Sequence, residues 1–201
     1  MENLYLIAGL GNPGAEYART RHNAGFMAVT ELAGRWRAEW TMESRFNTRM
    51  ARTTHGGQPV MLAQPQTYMN LSGEAVGKLS EYFRVSVTRL MVVVDDADLP
   101  LGEIRMRPRG SSGGHHGLES VEEHLGTDRY ARLRIGIGRS TTGGREIANY
   151  VLGRFGVEEK EILRKVLERA ASQVESWLAF GIEKAMSQFN GVVEHSDKTN
   201  E

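Results

Sequence analysis

The sequence predicts a single α/β domain of three layers, a twisted, mostly parallel (mixed) sheet with helices on both faces. Short apolar runs that end in glycine-rich or acidic turns alternate with stretches of helical periodicity. One of those runs, Leu90 to Val94, is apolar without interruption, as a strand covered on both sides must be. No linker or internal repeat divides the 201 residues, a length that suits one core.

The elements follow in order. Leu4 to Leu10 is a buried strand that runs into a glycine-rich turn. From Ala24 to Trp36 apolar residues recur at helical spacing (Phe26, Met27, Val29, Leu32, Ala33, Trp36), with Asn23 placed to cap the helix. Phe46 to Thr53 and Pro59 to Ala63 read as two strands around the turn His55-Gly56-Gly57. Ser72 is placed to cap a helix through Phe83 whose apolar face is Ala75, Val76, Leu79 and Phe83. The strand Leu90 to Val94 stops at Asp95-Asp96-Ala97-Asp98. Glu103 to Arg107 and Arg132 to Gly138 are further strands, and Leu118 to Leu125 is a helix. Ile162, Leu163, Val166, Leu167, Ala170, Val174, Trp177 and Leu178 form the stripe of a long helix ending at Gly181. Residues 1–192 form the domain, and 193–201 a polar, loose tail.

Composition narrows the chemistry. Lys+Arg and Asp+Glu both number 25, so any polyanion site must be a local patch. With no cysteine there is no disulfide framework, thiolate nucleophile or zinc–thiolate site. The N-terminus lacks a signal-peptide pattern and no stretch approaches the length of a membrane span, so a cytoplasmic protein is expected.

Gly9-Leu10-Gly11-Asn12-Pro13-Gly14 matches the dinucleotide pattern G-x-G-x-x-G after a strand. That reading needs an acidic residue about 20 positions on, at the end of a second strand. Glu31 has the offset but sits inside a helical pattern. The alternative is a tight strand-exit turn that presents Asn12 at a strand end.

Of six histidines, His55 and His195 read as solvated and His124 as structural. His22, between the glycine-rich exit and a helix, is well placed for an exposed imidazole. Asp95, just past a buried strand, can accept a hydrogen bond from an imidazole N–H and raise the basicity of its other nitrogen. Such a pair is a general base for water. No cysteine offers a side-chain nucleophile. A metal site from His115, His116 and the acidic cluster lacks a recognised ligand spacing such as H-E-x-x-H. Asn12 and Asn70 can donate to a carbonyl oxygen, or simply make local turns. Arg105, Arg107 and Arg109 share a strand face, as do Arg132 and Arg134. They suit phosphate, or a solvated face with stems covering apolar surface.

Together these segments resemble the bacterial peptidyl-tRNA hydrolase family over nearly the whole chain. The resemblance is carried by Gly9 to Tyr17, Thr20-Arg21-His22-Asn23-Ala24-Gly25, Pro65 to Gly73, Asp95 to Pro100, Gly113 to Leu118 and Arg132 to Gly138. It implies a monomeric, cofactor-free and metal-independent hydrolase acting on the ester of peptidyl-tRNA. His22 would be the base, Asp95 its partner, and Asn12 a third member of the catalytic group. Tyr17, Tyr68, Asn70, His115 and His116 would bind substrate near the tRNA 3′ end. Arg105, Arg107 and Arg134 would meet phosphates of the acceptor stem. Where the family pattern reads Gly-Gly-His-Asn-Gly, this chain has His116 in place of the asparagine; its Nδ1–H can mimic the amide donor. A non-catalytic RNA-binding relative and a nucleotide-dependent oxidoreductase are the competing readings.

Overall fold

A computed structural model describes residues 3–138 and 144–193, with side chains from residue 147 in the second stretch. In chain order the elements are β1 (Tyr5–Gly9), α1 (Ala24–Trp36), β2 (Trp40–Glu43), β3 (Thr48–His55), β4 (Gln58–Pro65), α2 (Ser72–Tyr82), β5 (Leu90–Asp96), β6 (Glu103–Arg107), α3 (His116–Leu125), β7 (Ala131–Gly136), α4 (Gly144–Val151), α5 (Glu159–Phe180), α6 (Ile182–Phe189) and β8 (Gly191–Val192).

One mixed sheet runs β2-β3-β4-β1-β5-β7-β6-β8. The central strands β4, β1, β5 and β7 are parallel, and antiparallel strands flank them on both sides. Their carboxyl ends (Gly9, Pro65, Asp96 and Gly136) therefore share one rim, where ligands of such sheets bind. Side-chain alternation divides the core. Ile7, Met91, Val93, Leu133 and Ile135 pack against α1 and α5, whereas Leu6, Ala8, Val92 and Val94 pack against α2 and α3. Among the described residues no helix is long and apolar enough to cross a membrane.

Two glycines bring α1 onto the sheet rim. A Cβ on Gly25 would lie 2.3 Å from the Val93 carbonyl oxygen, and one on Gly9 would lie 2.2 Å from the Gly25 oxygen. The glycine motif thus serves helix–strand contact and, at Gly14 (φ 111°), a turn. No helix starts directly after it, and Glu31 sits in α1 bonded to Arg35. This is the strand-exit turn, not a dinucleotide cradle.

Several details differ from the sequence reading. The strand β2 is short and half-exposed, so its pattern carries no alternating signal. The long helix ends at Gly181 as expected, where a φ of 84° breaks α5, but a further helix, α6, that the sequence reading did not include begins at once. Ser72 does not cap α2; its hydroxyl donates to the Met69 carbonyl. His55 is not simply solvated, since it stacks on Trp36 with ring centres 4.6 Å apart. His195 and the tail beyond Val193 lie outside the described residues.

Candidate active site

Gly9 of β1 lies opposite Val93 of β5, so Asp95 overhangs the end of β1. Alternation points Asp95 to the same side as Met91 and Val93, toward α1. After β1 the chain loops out and returns through a single 3-10 turn, Arg21–Asn23, directly into α1. His22, the middle residue of that turn, meets Asp95: Nδ1 is 2.9 Å from Oδ1 and 3.1 Å from Oδ2. His115, just before α3, reaches the same carboxylate from another side, with Nε2 3.1 Å from Oδ1. The two imidazole centres are 5.3 Å apart.

The hydrogen bonds assign the protons. Burial alone would raise the Asp95 carboxyl, but the charge of His22 and bonds from both imidazoles outweigh it and hold the group well below the usual carboxylate range. An ionised carboxylate only accepts, so both facing nitrogens carry protons. His22 is therefore the Nδ1–H tautomer when neutral, with its lone pair on Nε2. Nε2 has no protein partner among the described residues, and the His22 side chain keeps 15% of its surface against 3% for Asp95. Burial lowers the His22 pKa, but the Asp95 charge and hydrogen bond more than offset this and raise it above 6.5. His115 is differently bound. Its Nδ1 accepts the backbone N–H groups of Gly117 and Leu118 at 3.1 and 3.4 Å, capping α3. With both ring nitrogens engaged, it braces Asp95 and presents no free lone pair.

Asn12 is buried at the exit of β1. Its Oδ1 accepts the Met69 N–H at 2.8 Å, which fixes the carboxamide and leaves Nδ2 without a partner among the described residues. Asn23, expected to cap α1, instead pairs with the Asn12 backbone, accepting its N–H and donating to its carbonyl, both at 2.9 Å. The bond to Met69 also ties Tyr68 and Asn70, both exposed, to the site. Tyr17 lies half-buried on the loop before His22. His116 points away from this group. It is 76% exposed, and its Nδ1 is 2.9 Å from Glu119, so that nitrogen is not free to stand in for an amide donor. The bond from His116 holds the Glu119 carboxyl below its ordinary value.

The arginines form a ladder across β6 and β7, Arg105 opposite Arg134 and Arg107 opposite Arg132. Three of the four are engaged by carboxylates. Arg105 meets Glu103 at 3.0 Å, Arg134 meets Asp96 at 3.1 Å, and Arg132, 1% exposed, meets Glu122 at 3.1 Å. Arg134 also donates to the carbonyls of Ser111 and Ser112, holding the loop that leads to His115. Arg107 is exposed and has no partner among the described residues.

Residues 6–199 match the family model described as peptidyl-tRNA hydrolase. The chain belongs to the peptidyl-tRNA hydrolase family. It is 50% identical over 187 residues to a peptidyl-tRNA hydrolase of Gloeobacter violaceus, covering 93% of this chain and 94% of that one. It is 45% identical to one from Geobacillus kaustophilus over 92% of this chain and 98% of the relative. The crystal structure of peptidyl-tRNA hydrolase from Acinetobacter baumannii superposes with a TM-score of 0.90 at 35% identity, covering 96% of this chain and 97% of that one.

The span matched to the peptidyl-tRNA hydrolase family contains every residue of the site, from Asn12 to Arg134. His22, Asp95 and His115 also bring potential metal-ligating atoms within 4.8 Å of one another. In this hydrogen-bond arrangement the two imidazole nitrogens are engaged as donors and not as ligands. Both imidazole nitrogens facing Asp95 carry protons, and moving the His115 proton to Nδ1 would set it against two backbone N–H groups. The structure brings His22 onto Asp95 and fixes Asn12 beside the same sheet rim, and sequence reasoning missed the supporting contacts of Arg21, Asn23 and Asp96. Only their adjacency to His22 and Asp95 could have signalled them.

Proposed function

We propose that the chain hydrolyses the ester joining a peptidyl group to the 3′-terminal ribose of tRNA, with water activated by His22. The observation that carries this reading is the Nδ1–H···Asp95 contact, which leaves the Nε2 lone pair as the proton acceptor. Nε2 takes a proton from water as the water oxygen bonds to the ester carbonyl carbon. The imidazolium, stabilised by Asp95, then gives that proton to the departing ribose oxygen as the C–O bond breaks. The products are a peptide carboxylic acid and tRNA with a free terminal hydroxyl.

The fixed carboxamide of Asn12 supplies an Nδ2–H donor for the ester carbonyl and its developing negative charge. Tyr17, Tyr68 and Asn70 border the place where the terminal nucleotide and peptide meet. His115 acts through Asp95, and His116 contacts substrate through its outward edge. The acceptor stem lies along the β6–β7 face, with Arg107 toward phosphate and Arg105 and Arg134 shared between phosphate and their carboxylates. Water is the only co-substrate, and the protein works as a cytoplasmic monomer without metal.

The test is release of an N-acetyl-aminoacyl group from tRNA by wild type and His22→Ala. The variant is expected to lose roughly 100- to 10,000-fold in kcat, the usual contribution of a positioned acid–base group. Release at the wild-type rate would remove His22 from the reaction. A non-catalytic RNA-binding relative would bind the same tRNA and release nothing even as wild type.

A further inference from the structure

The turn that carries His22 cannot hold itself. It is a single 3-10 turn whose preceding residue, Thr20, makes no side-chain cap, and so short a helix has no stability of its own. On one flank Asn23 fastens it to Asn12. On the other flank the contacts converge on Arg21. The Arg21 N–H donates to the Gly153 carbonyl at 2.9 Å, and Thr20 bridges to Arg154. One guanidinium arm donates to the Arg154 carbonyl at 2.7 Å, and the other meets the Glu159 carboxylate at 2.8 Å. The guanidinium lies 4.3 Å from the centre of the Tyr150 ring and 5.3 Å from that of Phe155. The gripped segment is itself pinned: Tyr150 donates its hydroxyl to the Ile137 carbonyl at 2.7 Å, and Glu159 accepts the Gly156 N–H. The Arg21 side chain is only 12% exposed, so this is an interior joint, not a surface ion pair.

We propose that Arg21 is a positioning residue for His22, gripping the Tyr150–Glu159 strap so that the His22 Nδ1–H stays on Asp95. Its catalytic consequence rests on the reading of His22 as the base; its structural consequence does not. The forked guanidinium is required because two acceptors and two rings are met at once, whereas an ammonium is a single point. Loss of the grip frees the turn to rotate, and His22 leaves the carboxylate while the substrate-facing loop at Tyr68 and Asn70 stays in place.

The experiment uses the full chain with 15N-labelled histidine. Nitrogen chemical shifts, recorded above the titration midpoint of His22 so that the ring is neutral, report which of its nitrogens carries the proton. His124, whose Nδ1 is 2.8 Å from the Ser120 carbonyl, is the control for an intact fold. In Arg21→Met the His22 signal is expected to move from Nδ1–H to a mixture of tautomers while His124 is unchanged. Steady-state release should show kcat down roughly 10- to 100-fold, as for a misplaced catalytic group, with KM altered less than about two-fold. Arg21→Lys, which keeps the charge and a more native interior, is expected to fall between the two if Arg21→Met does not fold. A folded variant whose His22 keeps the wild-type tautomer overturns the proposal, whatever its rate. A shifted tautomer with unchanged kcat upholds the joint and refutes His22 as the base.

Discussion

Asp95→Asn changes one atom type at the point where two imidazole N–H groups converge. The carboxylate accepts from His22 Nδ1 at 2.9 Å and from His115 Nε2 at 3.1 Å, both on Oδ1, with Oδ2 also 3.1 Å from His22. An asparagine has one accepting oxygen and a donating NH2. Since His115 is held in its tautomer by the backbone of α3, it competes for that oxygen, and His22 is left against the NH2. His22 then takes the Nε2–H tautomer and has no lone pair where water must be deprotonated. The corresponding change in a serine-protease triad costs about 10,000-fold in kcat. The same inversion here predicts a loss of roughly 1,000- to 10,000-fold, or about 4–5.5 kcal/mol of transition-state stabilisation. KM should change little. The assay is single-turnover release of an N-acetyl-aminoacyl group from tRNA, with folding followed by thermal melts. The folded-state pKa of Asp95 is depressed, so its contribution to stability is present above the unfolded value near 3.8 and fades as pH falls through the lower folded value. The stability gap between wild type and variant should therefore narrow on acidification below about pH 4. A folded Asp95→Asn protein within ten-fold of wild-type kcat would refute the tautomer argument.

The rate of release should rise with pH through a midpoint above 6.5, because His22 must be neutral to act and its pKa is raised. A midpoint at or below 6.5 would contradict the Asp95 contact. Stability linked to His22 has the opposite trend: it is full below 6.5 and declines as pH rises through the folded value. Gly25→Ala should destabilise the fold by about 3 kcal/mol or more in chemical denaturation, since its Cβ would strike the Val93 carbonyl at 2.3 Å and backbone must move. An unchanged midpoint would mean that α1 does not rest on the sheet so closely. Arg107→Ala should weaken tRNA binding and lower the salt slope by about 1, with melting unchanged. Arg132→Ala should instead lower stability by roughly 1–3 kcal/mol by removing the buried guanidinium's bonds to Glu122 and to the Ser111 and Asp128 carbonyls, and reversal of the two phenotypes would invert the roles assigned to the ladder.

Much of the frame is legible because burial writes itself into residue type. Leu90 to Val94 is covered on both faces, and its apolar run announces the central strand and the carboxylate at its end. Glycines at positions 9 and 25 stand where backbone meets backbone. The short strand β2 and the helix beyond Gly181 left weaker traces, one because half its surface meets water and the other because a single positive φ separates two helices. The residues proposed for catalysis were readable as chemistry beside strand ends, whereas their supports were not. Asn23 carries the same residue type whether it caps α1 or pairs with Asn12. Spacing places Arg105 with Arg107, and Arg132 with Arg134, on a shared face of each strand, but it does not say that three of the four meet Glu103, Glu122 and Asp96. Glu103 stands two places from Arg105 on β6, whereas Glu122 comes from α3 and Asp96 from the end of β5, and only the folded chain brings these two to Arg132 and Arg134.

The partly neutralised arginine ladder has a kinetic meaning. Phosphates are common to the acylated tRNA and to the tRNA left after cleavage, so a cation that grips them holds both with equal strength. Each such grip would favour docking and delay departure alike. If the ladder meets the acceptor stem as proposed, internal carboxylates on all but Arg107 would leave a shallow electrostatic hold, and discrimination would fall to the ester and peptide, the parts that the reaction removes.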